Sequence, residues 1–477
     1  MNAYYSELFS FHLPEVILTG GALLVLAADL LLGKFSSEPV RRALAALLGM
    51  LAMGFAAEAL SPYLRGDTSA LGQLCLLGLS GLTLLLIAGT SRLRHPAEHV
   101  ALTLFATVGF SLMVTANNLL LVFLAFELSS ITLYILAGFD KSSPASAEAA
   151  LKYFLYGSVA AAFLLFGFSL LYGLTGEIEL AELGAKLSVL PASPLLVIAW
   201  IMILAGFGYK AAAAPFHLWA PDAYQGAPAP SAALIAAGSK LAGMLLLVRL
   251  FAEIGFSPLG PALQTALALL IAASLLLGNV AALVQSNFRR LLAYSAIGHA
   301  GIVLLMIGIA PADPQMAFGD VLYYLLTYGL ASVGAFGVAA VLEANDARGQ
   351  KLSDFAGLWQ RSPFLTICLL VFILSLAGVP PLAGFFAKFN AFYDVLGSLD
   401  SAALTSSPFF WLVLLAIAMS AVALYYYLQV LKQAFIAPAE ETRPLRIALP
   451  ATTALLFAAA GIVLLGIFPE HFLRLLF

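Results

Sequence analysis

The sequence predicts an all-α polytopic membrane protein of about 14 transmembrane helices, and three observations carry that reading. Of its 477 residues 62% are apolar, only 10% are charged, and the mean hydropathy is +1.01. A soluble chain of this size would need far more polar surface. A bilayer-spanning helix takes about 20 mainly apolar residues, and apolar stretches of that length recur along nearly the whole chain with short polar breaks. No break is long enough to hold a soluble domain.

The first four spans centre near Leu23, Met50, Leu82 and Val108. Glu7, His12 and Glu15 stand where a cleaved signal peptide has a basic region, so the opening segment is expected to lead into the first helix. The fifth span, near Phe126, reads LLLVFLAFELSSITLYILAGF and carries Glu127 in its middle. The sixth centres near Leu164, and at its start Glu148 and Lys152 share a helix face at the i,i+4 spacing, making Lys152 a candidate inner-side entrance residue.

The seventh span, near Leu204, continues as GFGYKAAAAPFHLWAPDAYQGAPAP, with Pro215 five residues after Lys210. Trp219, Asp222 and Tyr224 are expected in a turn near the inner surface, where aromatic anchoring is the default. The eighth, SAALIAAGSKLAGMLLLVRLF, centres near Gly238 and carries Lys240. Spans near Leu269, Val303 and Gly334 follow, with His299 central in its own apolar run. The twelfth, near Leu376, contains GVPPLAGFFAKF, with Pro380 and Pro381 just before Lys388, and spans near Ile417 and Leu456 complete the set.

The net charge of −3, from 22 Lys and Arg against 25 Asp and Glu, says little, but its distribution says more. With the N-terminus outside, fifteen Lys and Arg fall in inner loops, against Arg65, Lys186, Arg249 and Arg474 outside. This is the positive-inside pattern, and it places both termini outside the cell inner (plasma) membrane. No P-loop or dinucleotide fingerprint is present, and nothing points to nucleic acid. The six histidines lack the pairing of a haem or metal centre, and Cys75 and Cys368 lie in separate apolar runs as small core residues. Any electron transfer linked to this chain must occur in another one.

A charged side chain near the bilayer centre costs roughly 2.5–3.5 kcal/mol on insertion scales, so a chain that keeps several is expected to use them. Glu127, Lys210, Lys240 and Lys388 stand out. Removal from water disfavours the charged form and a nearby opposite charge restores it, so moving one partner can load or release a proton. The structural alternative is ion pairs that only join helices. Asp29, Glu58 and Asp320 lie closer to span ends, where headgroups or loop water suffice.

Proline removes a backbone donor, and the carbonyls it frees inside a membrane must be met by water or protein. Each proline break therefore marks an expected hydrated pocket beside a lysine. Breaks in two halves of a chain point to an inverted-repeat transporter with its site near the midplane. Moving the Lys210-to-Lys388 interval on from Glu127 lands within two turns of His299, whose imidazole suits a relay between lysines. His217, two turns past Lys210 but beyond Pro215, is a weaker relay candidate.

The stretch Gly206 to Pro230, with Lys210, Pro215, Phe216, His217, Trp219, Pro221 and Asp222, resembles the seventh-helix signature of the antiporter-like subunits of NADH-quinone oxidoreductase (respiratory complex I). Its Tyr224 to Pro228 part is similar to the subunit N family. AEAALKYFLYGSVAAAFLLFGFSLLYGLTG, GNVAALVQSNFRRLLAYSAIGHAG and GVPPLAGFFAKF resemble the sixth helix, the join of the ninth and tenth, and the broken twelfth of the same family.

The resemblance implies broken helices 7 and 12 and two inverted five-helix repeats. It divides the chain into an N-terminal three-helix segment (1–96), helices 4–8 (97–255), helices 9–13 (256–437) and a last helix (438–477). Glu127 would pair with Lys210, the lysine of the inner half-channel. Lys240 and His299 would connect it to Lys388, which passes a proton outward. The implied activity is proton translocation driven by quinone reduction in other complex I subunits, including a subunit M-like neighbour. No cofactor is expected in this chain, with quinone, FMN and iron–sulfur clusters in its partners. The rivals are a subunit of a multi-subunit sodium/proton antiporter and a non-transporting scaffold.

Overall fold

The computed structural model describes residues 12–33, 36–64, 67–90, 94–191, 193–254, 260–309, 314–346, 349–400, 404–438 and 443–473. Glu7, Lys34, Arg65, Arg92, Arg348 and Arg474 lie outside these residues. The chain rises and falls through α1 (Leu13–Leu32), α2 (Glu38–Leu60), α3 (Thr68–Gly89), α4 (Pro96–Thr115), α5 (Leu119–Ala137) and α6 (Pro144–Thr175). The seventh span is split into α7a (Pro194–Ala211) and α7b (Ala220–Gly226). It is followed by α8 (Ala229–Ile254), α9 (Gly260–Leu283), α10 (Phe288–Ile307) and α11 (Pro314–Asp346). The twelfth is split into α12a (Pro363–Ala377) and α12b (Ala383–Gly397), before α13 (Pro408–Phe435) and α14 (Leu449–Ile467).

Among the described residues thirteen helices are long and apolar enough to cross a membrane, and α12a with α12b makes the split fourteenth. Serine caps followed by proline start several of them. Ser143, Ser193 and Ser362 each accept a hydrogen bond from the first turn of α6, α7a and α12a, and proline at the next position loses only a donor the helix does not use. Within its hydropathic window α8 is 100% buried, whereas α1 is 22% buried. α8, α10 and α11 therefore form the centre, and α1, α13 and α14 form an apolar rim that suits lipid.

Two motifs recur in the two halves. Asn118 caps α5 and bridges Glu179, while Asn287 caps α10 and bridges Lys351. The first bridge joins the α4–α5 and α6–α7a connections, the second the α9–α10 and α11–α12a connections, and an odd number of intervening spans places them on opposite faces. α4 packs against α5 and α8 as α9 packs against α10 and α13.

The half-helices α7a and α12a end alike as well. Ala213 N–H donates to Gly208 O and Ala212 N–H to Tyr209 O; Val379 N–H donates to Leu374 O and Gly378 N–H to Ser375 O. Both are Schellman caps with a left-handed residue, Ala212 at φ 57° and Gly378 at φ 81°. These caps correct the register expected from the lysines. Lys210 lies two residues before its cap on the first half-helix, whereas Lys388 lies ten residues after its cap on the second. The two amines approach their breaks from opposite sides, so the lysines are not equivalent positions of a repeat.

The structure also corrects the anchoring expected around α7b. Trp219 and Tyr224 are buried, with Trp219 stacked on Tyr153 at 4.2 Å and its Nε1 donating to Tyr209 O at 3.0 Å. The aromatic cluster braces the α7 break from within instead of facing headgroups.

Candidate functional site

Lys210 occupies the last turn of α7a and is 3% exposed. Its Nζ donates to Ser129 Oγ at 2.7 Å and Ser130 Oγ at 3.0 Å on α5, and lies 4.6 Å from the centre of the Phe126 ring. The C-terminal end of a helix carries partial negative charge, which suits an amine there. Its stem packs on Gly243 of α8, where a Cβ would come within 2.8 Å of Lys210 Cγ.

The expected Lys210–Glu127 ion pair is not formed. Glu127 lies one residue outside the apolar-to-serine face of α5, half-buried on the flank of the bundle, and its Oε1 has no hydrogen-bond partner. The two charges remain in electrostatic reach of each other.

Lys240 follows a π-helical turn, Ile235–Ser239, in α8. Such a turn inserts an extra residue and re-aims the side chains after it. The Lys240 amine, 2% exposed, donates to Ala296 O of α10 at 2.6 Å and lies 5.1 Å from the centre of the Tyr328 ring. His299 sits one turn further along α10. Its Nδ1 meets Tyr324 OH at 2.7 Å and its Nε2 meets Tyr427 OH at 3.4 Å, and Tyr427 in turn meets Ser295. Electrostatically His299 feels both Lys240 and Lys388.

Lys388 reaches back from α12b to the end of α12a, where its Nζ donates to Leu376 O and Ala377 O, each at 3.0 Å. The break leaves those carbonyls without helical partners, so the amine fills the role expected of water. Two cavities of about 10 Å³, each just large enough for one water, touch His299, and one of them also touches Lys388. Beyond Lys388, Asp394 of α12b hydrogen-bonds Asp320 of α11. Asp320 was expected to meet headgroups or loop water; it is instead buried in a carboxyl pair. The sequence signal was available, since Asp394 lies six residues past Lys388 in the same apolar segment.

At the membrane face beside α7b Lys152 pairs with Glu148 at 2.6 Å and with Asp222 of α7b at 2.7 Å, and Arg290 of α10 reaches Asp222 at 2.5 Å. A cavity of about 300 Å³ opens there, lined by Lys152, Asp222 and Arg290 and by His217, whose buried Nδ1 has no partner. Lys152, Lys210, Lys240, His299 and Lys388 thus all abut polar groups or cavities, while Glu127 stands apart on the flank.

Partial burial works against ionisation of Asp222, but the hydrogen bonds from Lys152 and Arg290 outweigh it and hold the carboxyl below its ordinary range. A depressed folded-state value adds stability above the unfolded value, about pH 4, and loses it as pH falls further. Asp222→Asn is therefore expected to lower the melting temperature at pH 7, with a deficit that shrinks as pH falls below about 4, read by thermal unfolding in detergent. A deficit that persists unchanged at pH 3 would show that charge is not its cause.

A family profile described as "NADH:quinone oxidoreductase/Mrp antiporter, TM" matches residues 116–408. The chain is 46% identical to NADH-quinone oxidoreductase subunit N 2 of Acidobacterium capsulatum over 506 aligned positions, covering 98% of each chain. It is 38% identical to F(420)H(2) dehydrogenase subunit N of Methanosarcina mazei, covering 80% of this chain and 76% of that one. Among solved structures it superposes on a chain of respiratory complex I from Thermus thermophilus with bound aureothin at a TM-score of 0.77 and 32% identity, covering 97% and 98% of the two chains.

Proposed function

The chain belongs to the subunit N family of NADH-quinone oxidoreductase, within the wider NADH:quinone oxidoreductase/Mrp antiporter group, and on that premise we propose that it moves protons through Lys210, Lys240, His299 and Lys388 in response to quinone reduction in partner subunits. One observation carries the relay: among the described residues none of the three buried lysines is ion-paired. Each amine rests on hydroxyl or carbonyl oxygens. A lysine that only joined helices would hold a carboxylate, and breaking such a pair is costly. An amine on neutral oxygens can release its proton and keep a hydrogen-bond partner.

Protons enter the inner cavity at Lys152, Asp222 and His217 and load Lys210. They pass by Lys240 and His299, using the one-water cavities, to Lys388 and leave past Asp394 and Asp320. Glu127, half-buried on the flank, is within reach of a neighbouring membrane subunit, which on this reading is subunit M-like. A charge or displacement there changes the field at Lys210 and so its hold on a proton. The recurrent caps support two inverted repeats, 97–255 and 256–437, between the 1–96 and 438–477 segments. The loop charges support inner-membrane placement with both termini outside. Quinone, FMN and iron–sulfur clusters belong to partner subunits.

Lys388→Met, which keeps the bulk and removes the titratable amine, is expected to lower protons moved per NADH by the intact complex in liposomes. Electron input to a water-soluble acceptor stays at wild-type level. Undiminished pumping from this variant removes Lys388 from the path.

A further inference from the structure

A second cavity, of about 490 Å³, opens at the centre of the inner face and is touched by none of the relay lysines. Arg94, His95, Asp140, Lys141 and Arg289 border it, and Pro230 and Phe139 form part of its wall. The start of the fully buried α8 lies in that wall, so the cavity sits over the bundle and not at the lipid rim.

Directly behind Phe139 lies His99 of α4, fully buried, with the two rings edge to face at 4.7 Å. His99 Nε2 hydrogen-bonds Ser231 Oγ at 2.9 Å, and Nδ1 has no partner. From His99 every fourth residue of α4 is polar and buried: Thr103, Thr107 and Ser111. The neighbouring α3 adds buried Thr83, Ser80 and Gln73, and Ser80 Oγ is unpartnered.

At the far end Gln73 Nε2 donates to Ser111 Oγ at 2.7 Å and to Glu15 Oε1 at 2.9 Å, and Ser111 Oγ donates to the same oxygen at 2.6 Å. Glu15, on the first turn of α1, is 5% exposed, and its other oxygen faces His12 Nδ1 at 3.8 Å near the opposite surface. The threonines alone are ordinary helix packing, because Thr103 and Thr107 donate to the carbonyls one turn back. Packing leaves unexplained an ionisable group at each end with an unsatisfied buried atom, which costs about 1–3 kcal/mol apiece.

We propose that this seam is a second, gated proton file running from the inner cavity through His99 to Glu15. A proton bound at His99 Nδ1 releases the one on Nε2 to Ser231 Oγ, which gives up its own hydroxyl proton to the seam. Glu15 Oε2 takes up a proton as the neutral acid and gives it to His12, so no bond is left unbalanced and no redox partner is needed. The gate is the gap between Thr107, whose hydroxyl is bonded to Thr103 O, and Ser111, whose hydroxyl is bonded to Glu15. Gly109 packs there on the backbone of Ser129, where a Cβ would lie 2.7 Å from Ser129 N. Ser129 is also the residue that holds the Lys210 amine and touches Met113 of α4. The charge state of the lysine relay can therefore act on α4 where the seam is weakest.

The file shares with the proposed function the premise of proton translocation, but none of its residues. The intact complex in liposomes tests it with Glu15→Gln, which can still accept the bonds from Gln73 and Ser111 but cannot bind a proton, and with His99→Gln. Each is expected to lower protons moved per NADH with electron input unchanged, and Glu15→Gln to abolish a carboxylic C=O band in turnover infrared difference spectra. Wild-type pumping in both variants, beside a deficit in Lys210→Ala, overturns the seam and leaves the lysine relay standing. A deficit in Glu15→Ala but not in Glu15→Gln makes Glu15 a structural clasp and overturns it too. Wild-type pumping in all of them, Lys210→Ala included, defeats both readings.

Discussion

Lys210→Ala is expected to slow proton transfer through this subunit by roughly 10²-fold or more, the share a positioned proton-transfer group contributes, with electron input intact. The amine is buried and has two serine hydroxyls as its hydrogen-bond partners. Removing it takes out the amine that the proposed path uses between the cavity at Lys152 and Lys240. Lys210→Arg separates charge from proton transfer: a guanidinium keeps the positive charge and the donors but does not deprotonate. Equal loss in the Ala and Arg variants identifies the released proton as what matters. Wild-type pumping in Lys210→Arg would reduce the residue to a fixed charge.

Gly278→Val is expected to destabilise the protein by about 3 kcal/mol, at the upper end of overpacking costs. At Gly278 α9 meets α10 backbone to backbone, with a Cβ position only 2.5 Å from Gly298 N and 2.9 Å from Tyr294 O. Membrane helices use small residues for such approaches because van der Waals packing replaces the hydrophobic drive. The damage reaches function, since Gly298 precedes His299 and pushing α10 away loosens the imidazole's 2.7 Å contact with Tyr324. Thermal unfolding and pumping should both fall. Gly173→Ala in α6, where an added Cβ meets nothing within 4 Å, should change neither. Equal effects of the two substitutions would contradict the close crossing.

The expected ionisable residues were legible because each breaks a long apolar run, and a charge in lipid is too costly to leave unused. Their partners were not. Ser129 and Ser130 were not singled out, Asp222 was expected in a surface turn and Asp320 at a span end, yet the serines hold Lys210, Asp222 bridges Lys152 to Arg290 and Asp320 meets Asp394. Glu15 was read only as an argument against a signal peptide, although it closes a buried hydrogen-bonded cluster. Asn118 and Asn287, which cap α5 and α10 in the same way, were also passed over in the sequence.

By itself the sequence determined that the chain lies in a membrane, how many times it crosses, where two crossings break and which amines sit at membrane depth. Each of these follows from the cost of moving polar groups out of water, a local quantity that any single segment states. Only the tertiary structure decided that α8 is central and α1 peripheral, that Lys388 serves the break in α12 from its far side, and that Lys210 rests on serines while Glu127 lies half-buried on the flank. Helices that are apolar on every side carry no stripe to choose their neighbours. Those choices are made by close packing between segments distant in the chain.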